Sequence, residues 1–115
     1  MTKIWERYSP KLAEDKFDAI IIGSGMGGLS TAAFLSKAGK KVLVLERHFK
    51  VGGWTHTFQR GKYEWDVGIH YIGAVGRKSA FLRRLFDEVT EERLEWAPMP
   101  DNYDRMIFPD KSYNF

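Results

Sequence analysis

Residues 19–30, AIIIGSGMGGLS, constrain the fold more than any other part of this sequence. Four apolar residues, three of them isoleucine, run directly into Gly23, Gly25 and Gly28. An apolar, β-branched run that ends at glycine is typical of a strand buried on both faces of a parallel sheet. The sequence therefore predicts a strand over 17–22 that turns sharply into a helix.

The next residues extend this pattern to a complete supersecondary unit. Residues 26–38 lack proline and repeat small residues at helical spacing, which predicts a helix ended by Gly39. Residues 42–45 are a second apolar strand, followed by Glu46. Strand, helix and strand within about thirty residues have the length of a right-handed βαβ unit. We therefore expect an α/β fold with a Rossmann-like FAD/NAD(P)-binding domain.

Each glycine of the G-x-G-x-x-G pattern has a physical role in such a unit. Gly23 permits the turn, Gly25 leaves no Cβ in the path of a pyrophosphate, and Gly28 lets the helix approach the sheet. Glu46 would accept hydrogen bonds from both ribose hydroxyls and repel a 2′-phosphate. The alternative is that the glycines serve only a turn and Glu46 is a solvated strand end. The candidate cofactor-binding residues here are Gly23, Ser24, Gly25, Met26, Gly27, Gly28, Glu46 and Arg47, with Arg47 beside the adenine.

Two later stretches resemble a particular group of flavoproteins. Glu46 followed by Gly52-Gly53 resembles the second glycine signature of the glutathione reductase and amine oxidase type. The stretches VGGWTHTF and YEWDVGIHYIG resemble the N-terminal part of retinol saturases, carotenoid isomerases and phytoene desaturases. The resemblance implies FAD as the cofactor. It adds five residues to the candidate cofactor-binding set: Gly52, Gly53, Asp66, Gly68 and His70.

The resemblance also implies an activity. It indicates a FAD-dependent oxidoreductase that acts on a lipophilic, conjugated polyene by hydride transfer at flavin N5, with NAD(P)H as a candidate electron donor. Saturation, desaturation and isomerisation all stay open. His70 is a candidate for proton supply near the flavin, and its alternative role is structural, as a partner of Asp66. An NAD-dependent dehydrogenase and a non-catalytic nucleotide-binding module are the other functions that the sequence leaves open.

Composition excludes several other classes of protein. The chain has no cysteine, which rules out disulfides and thiolate zinc sites, and its three histidines lack metal-ligand spacing. A net charge of +3, spread along the chain, does not favour a nucleic-acid partner. We find no signal peptide or transmembrane segment in the sequence, and we predict no protein partner. The expected location is cytoplasmic, with peripheral membrane contact as a further expectation for a lipophilic substrate.

The chain is expected to contain three segments. Residues 1–16 form an N-terminal arm, 17–75 the FAD-binding βαβ unit with its glycine-pair loop, and 76–115 a helix and hairpin that begin a mixed β substrate domain. The flavoproteins that this sequence resembles have several hundred residues. We therefore expect the present sequence to be only the N-terminal portion of such a protein. This portion alone is expected to bind FAD weakly and to be inactive.

Further elements are expected after the glycine pair. They are strands over 55–59 and 63–72 with a turn at 60–62, a helix over 79–89 with Ser79 as its N-cap, and two strands within 94–115 that meet at 109–111.

Overall fold

The structure is a computed structural model that describes residues 5–115. The first four residues of the predicted N-terminal arm lie outside the described residues, and the rest of the arm includes one short helix. The chain separates into two compact units after Tyr71. The elements in chain order are α1 Pro10–Ala13, β1 Ala19–Ile22, α2 Met26–Lys37, β2 Val42–Leu45, a 3-10 turn Gly53–Thr55, β3 Thr57–Arg60, β4 Tyr63–Asp66, α3 Phe81–Thr90, β5 Arg105–Ile107 and β6 Ser112–Asn114.

The first unit contains the predicted βαβ arrangement. Strands β1 and β2 pair in parallel, with Ala19 opposite Val42 and Ile22 opposite Leu45. Helix α2 connects them and packs on both. It ends at Lys37, and the chain reverses at Gly39, whose φ is 77°. A parallel pair joined by a helix confirms the prediction of a Rossmann-like α/β fold.

The prediction that β1 is buried on both faces is wrong for the described chain. Ile20 is 60% exposed and Ile22 is 89% exposed, whereas the alternate residues Ala19 and Ile21 are half-buried. Successive side chains of a strand point to opposite faces. Ile21 lies next to Gly28 of α2, so the helix covers one face and the other face is open among the described residues.

Strands β3 and β4 form an antiparallel hairpin after the glycine pair. The turn at Gly61 and Lys62 confirms the predicted reversal, and Gly61 has a φ of 60°. Strand β3 begins two residues later than expected because the chain first makes the 3-10 turn. The expected continuation of β4 to residue 72 is wrong. Pairing with β3 ends at Asp66, and the chain then bends.

The second unit contains one helix and one hairpin. Helix α3 begins after Ala80 with no side-chain cap, so the assignment of Ser79 as N-cap is wrong. Its buried residue Phe86 packs edge-to-face on Trp96, with ring centroids 5.2 Å apart. Strands β5 and β6 are antiparallel and confirm the predicted C-terminal hairpin, although residues 94–104 contain no strand.

The described helices are short. The longest, α2, has 12 residues, and none within 5–115 combines the length and apolar composition needed to cross a membrane.

Candidate dinucleotide-binding site

The turn between β1 and α2 depends on two of its glycines. Gly23 has a φ of 97°, in the left-handed region that favours glycine, and its amide donates to the carbonyl of Leu45 at 2.7 Å. A Cβ on Gly28 would overlap the carbonyl oxygen of Gly23 and lie 3.3 Å from the side chain of Ile21. Gly23 and Gly28 therefore have the turning and close-packing roles that the spacing predicts.

The third glycine of the pattern faces open space. Gly25 is the N-cap of α2, and a Cβ built on Gly25 or on Gly27 would meet no heavy atom within 4 Å in the described chain. No side chain of residues 5–115 caps this helix end. The first amides of a helix lack intrahelical partners and carry the positive end of its dipole. Bare backbone, open space and uncapped amides fit an anionic diphosphate group.

The carboxylate of Glu46 is held by the same turn. Its Oε2 atom accepts hydrogen bonds from the amide of Ser24 at 2.7 Å and from the Ser24 hydroxyl at 2.6 Å. Its Oε1 atom accepts from the amide of His48 at 2.7 Å. The Ser24 hydroxyl, followed by the two amides, lowers the pKa of Glu46 from 4.5 to about 2. Glu46 is therefore a carboxylate throughout the neutral pH range.

The glycine pair packs directly on the first glycine turn. Gly52 is buried with a φ of 113°, and its amide donates to both the carbonyl oxygen and the hydroxyl of Ser24, at 3.1 and 3.3 Å. Gly53 has a φ of 57°, and a Cβ there would lie 3.0 Å from Cα of Gly25. The structure thus brings together three segments that the sequence predicts separately: the turn, the end of β2 and the glycine pair.

The residues after β4 do not continue the strand predicted over 63–72. Asp66, Gly68 and His70 would lie on one face of such a strand, but the strand ends at Asp66. The chain bends there, and Nδ1 of His70 lies 3.7 Å from Oδ2 of Asp66, with both side chains more than half exposed. Gly68 lies against Trp54, whose ring would be 2.8 Å from a Cβ at position 68. This stretch therefore contacts the residue that directly follows the glycine pair.

For the two remaining candidate residues, Met26 and Arg47, the structure gives a position and a degree of burial. Met26 is half-buried in the first turn of α2, and Arg47 is exposed after β2.

A groove of about 600 Å³ lies along β3, and the glycine turn does not line it. Its lining residues are Phe49, Lys50, His56, Thr57, Phe58, Gln59, Arg60 and Glu64. In the part of the chain that the structure describes, no group of three His, Asp or Glu side chains is arranged to hold a metal ion.

The sequence did not reveal how Ser24 and His48 act. Ser24 is included among the predicted residues only as part of the glycine pattern, and the amide of His48 is not included at all. No local pattern indicates the contacts of the Ser24 hydroxyl, because its partners lie 22 and 28 residues further along the chain.

Comparisons with known proteins agree with this geometry. Residues 21–89 match the family described as NAD(P)-binding Rossmann-like domain. Over 102 residues the chain is 50% identical to all-trans-retinol 13,14-reductase of Rattus norvegicus and 46% identical to that of Homo sapiens. It is 47% identical over 53 residues to prolycopene isomerase of Daucus carota. The reductase alignments cover 89% of this chain and 17% of each relative, and the isomerase alignment covers 46% and 9%.

Proposed function

The chain belongs to the NAD(P)-binding Rossmann-like domain family and is a homologue of retinol reductases and carotenoid isomerases, and from that premise we propose that it binds FAD in an oxidoreductase acting on conjugated polyenes. The observation that carries the proposal is the open, uncapped backbone at Gly25 beside the ionised Glu46. FAD, when bound, supplies hydride transfer at its N5 atom.

The residues of the turn have separate roles in this proposal. The amides at the start of α2 bind the diphosphate, and Gly25 leaves room for it. Glu46 accepts a hydrogen bond from the adenosine ribose, and its negative charge disfavours a 2′-phosphate at the same position. The glycine pair at 52–53 keeps the following loop close to the turn without placing a side chain there. Asp66, Gly68 and His70 are proposed to lie toward the flavin end.

The names of the relatives support the class of substrate. All-trans-retinol and prolycopene, the compounds in the names of the relatives, are both lipophilic conjugated polyenes. We propose this class for the protein containing the present chain, with NAD(P)H as the electron donor and peripheral contact with a membrane from which such a substrate is drawn. Reduction and isomerisation are the reactions in the relatives' names.

Anaerobic turnover of polyenes tests this function. The full-length protein is incubated with all-trans-retinol or a carotenoid, in one reaction with reduced FAD as the hydride donor and in a parallel reaction with oxidised FAD as the hydride acceptor, and products are identified by mass spectrometry and absorbance. Gain of two hydrogens indicates saturation, loss of two indicates desaturation, and an altered spectrum at unchanged mass indicates isomerisation. A flavin-loaded protein that leaves every polyene unchanged, as the heat-denatured control does, would contradict the proposed activity.

A further inference from the structure

Ser24 differs from the other residues of the glycine turn in its burial. It is 1% exposed and is the one fully buried polar side chain in the described chain, although it lies between two glycines that need free space. A buried hydroxyl without partners is costly, so its hydrogen bonds indicate its role.

Every polar group of Ser24 is engaged by the protein itself. The hydroxyl donates to Oε2 of Glu46 at 2.6 Å and accepts from the amide of Gly52 at 3.3 Å. The backbone amide donates to the same Oε2 atom, and the backbone carbonyl accepts from Gly52 at 3.1 Å. A serine hydroxyl has a single proton to donate. That proton is used by Glu46, and none is left for a phosphate or ribose oxygen.

We infer that Ser24 is a positioning residue, which fixes the Glu46 carboxylate and the Gly52 loop in place for the nucleotide and does not itself bind it. This inference rests on the proposed dinucleotide function. It gives Ser24 a different role from the neighbouring residues of the glycine turn. The phosphate-binding amides are then those that follow Ser24, at the start of α2, because the Ser24 amide is directed at Glu46.

The contacts of Ser24 have two consequences for Glu46. The carboxylate is held in one orientation before any ligand binds, which reduces the ordering cost of binding. An ionised carboxylate accepts about four hydrogen bonds, and Ser24 and the amide of His48 already supply three. Both acceptor positions of Oε2 are used by Ser24, so a ribose hydroxyl binds at Oε1, and Glu46 takes fewer ribose hydroxyls than the two that the spacing alone suggested. The two residues that follow Glu46 in the chain, Arg47 and His48, also have titratable side chains.

The Ser24→Ala variant separates positioning from direct binding. It is made in the full-length protein, with Ser36→Ala at the exposed end of α2 as the matched control. The two readouts are the dissociation constant for FAD and the pKa of Glu46, followed by carboxyl carbon NMR. Positioning predicts that FAD binds roughly tenfold more weakly and that the Glu46 pKa rises from about 2 toward 4.5. Ser36→Ala should change neither.

Several results would overturn the inference. Weaker FAD binding with an unchanged Glu46 pKa would indicate that Ser24 binds the nucleotide directly. A wild-type dissociation constant for FAD together with a wild-type Glu46 pKa would show that Ser24 has no role in binding. Should Ser24→Ala fail to fold, Ser24→Cys keeps the size of the side chain with a weaker donor, and a smaller shift in the same directions is expected. A shifted Glu46 pKa in a protein that binds no FAD would support the positioning role and refute the proposed function.

Discussion

Hydrogen-bond donors from two neighbouring segments favour the ionised form of Glu46. The Ser24 hydroxyl is the largest influence that keeps its pKa at about 2, and the amides of His48 and Ser24 act in the same direction. The two bonds from Ser24 form only when the turn after β1 meets the end of β2, whereas the bond from the His48 amide is local to the residues after β2. Folding therefore stabilises the charged form of this residue.

The Glu46→Gln variant tests this link through pH. Because the pKa is lower in the folded state, the charge stabilises the fold fully above about pH 4.5 and loses that effect as the pH falls toward 2. The difference in Tm between wild type and Glu46→Gln should be largest near neutral pH and narrow in acid. Exposed Glu95→Gln is the matched control. A Tm difference that is constant from pH 7 to pH 3 would contradict the prediction.

Substitution at Gly28 tests the close approach of α2 to the turn. Gly28→Ala should destabilise the protein by about 1–3 kcal/mol because its Cβ would overlap the Gly23 carbonyl. Gly27→Ala, one residue earlier in the same helix, meets open space and should be neutral or slightly stabilising, since alanine favours helix. Urea unfolding measures both. If both variants lost the same free energy of unfolding, the close packing of Gly28 on the turn would not explain why glycine is needed there.

The roles of individual glycines were predictable because they depend on backbone geometry within one short motif. Gly23 needs a positive φ and Gly28 needs a close neighbour, and both requirements follow from a strand that turns into a helix. The role of Ser24 was not predictable. Its partners are 22 and 28 residues away, and the sequence does not indicate where Glu46 and Gly52 arrive.

Elements were predicted best where local chemistry decides their limits. Gly39 follows the end of helix α2 and Gly61 lies in the turn before β4, both with positive φ, and both elements were found where the sequence indicates. The end of β4 was missed because residues 67–72 keep an apolar and polar alternation after pairing has stopped. There Gly68 packs against Trp54 so closely that a Cβ at this position would overlap the Trp54 ring.

The β3–β4 hairpin provides a test of turn chemistry. Gly61 has a φ of 60° and no neighbour within 4 Å of a built Cβ among the described residues, so conformation alone makes glycine favourable. Gly61→Val should cost about 1–2 kcal/mol, because a left-handed conformation is strained for a β-branched residue. Gly61→Asn should cost less, since asparagine tolerates this region. Chemical denaturation that finds equal costs would contradict the conformational explanation.

Helix α3 contains the best-defined ion pair of the second unit. Nε of Arg83 lies 2.8 Å from both carboxylate oxygens of Asp87, and both side chains are only 18% exposed. Arg83→Ala should destabilise this unit by about 1–2 kcal/mol. Arg84→Ala removes an exposed arginine of the same helix and should have little effect. Thermal unfolding followed by circular dichroism distinguishes them, and equal losses would refute the role of the pair.

At the scale of the whole molecule, the proposed binding site lies in the first unit. The turn after β1, the end of β2 and the glycine pair bring residues spread over 23–53 into contact. Among the described residues, one face of the β1–β2 sheet is open, as the exposure of Ile20 and Ile22 shows. The reductases share this region and are much longer, as the alignment of 102 residues spans 17% of their length.

The flavin content of the purified full-length protein tests the central claim most directly, compared between wild type and Gly25→Val. Gly25 has a φ of −67°, which any residue adopts, so a valine there would obstruct the diphosphate site and leave the turn intact. We predict stoichiometric FAD released from denatured wild type and little or none from Gly25→Val. Release of NAD(P) in place of FAD, or equal FAD from both proteins, would contradict the account.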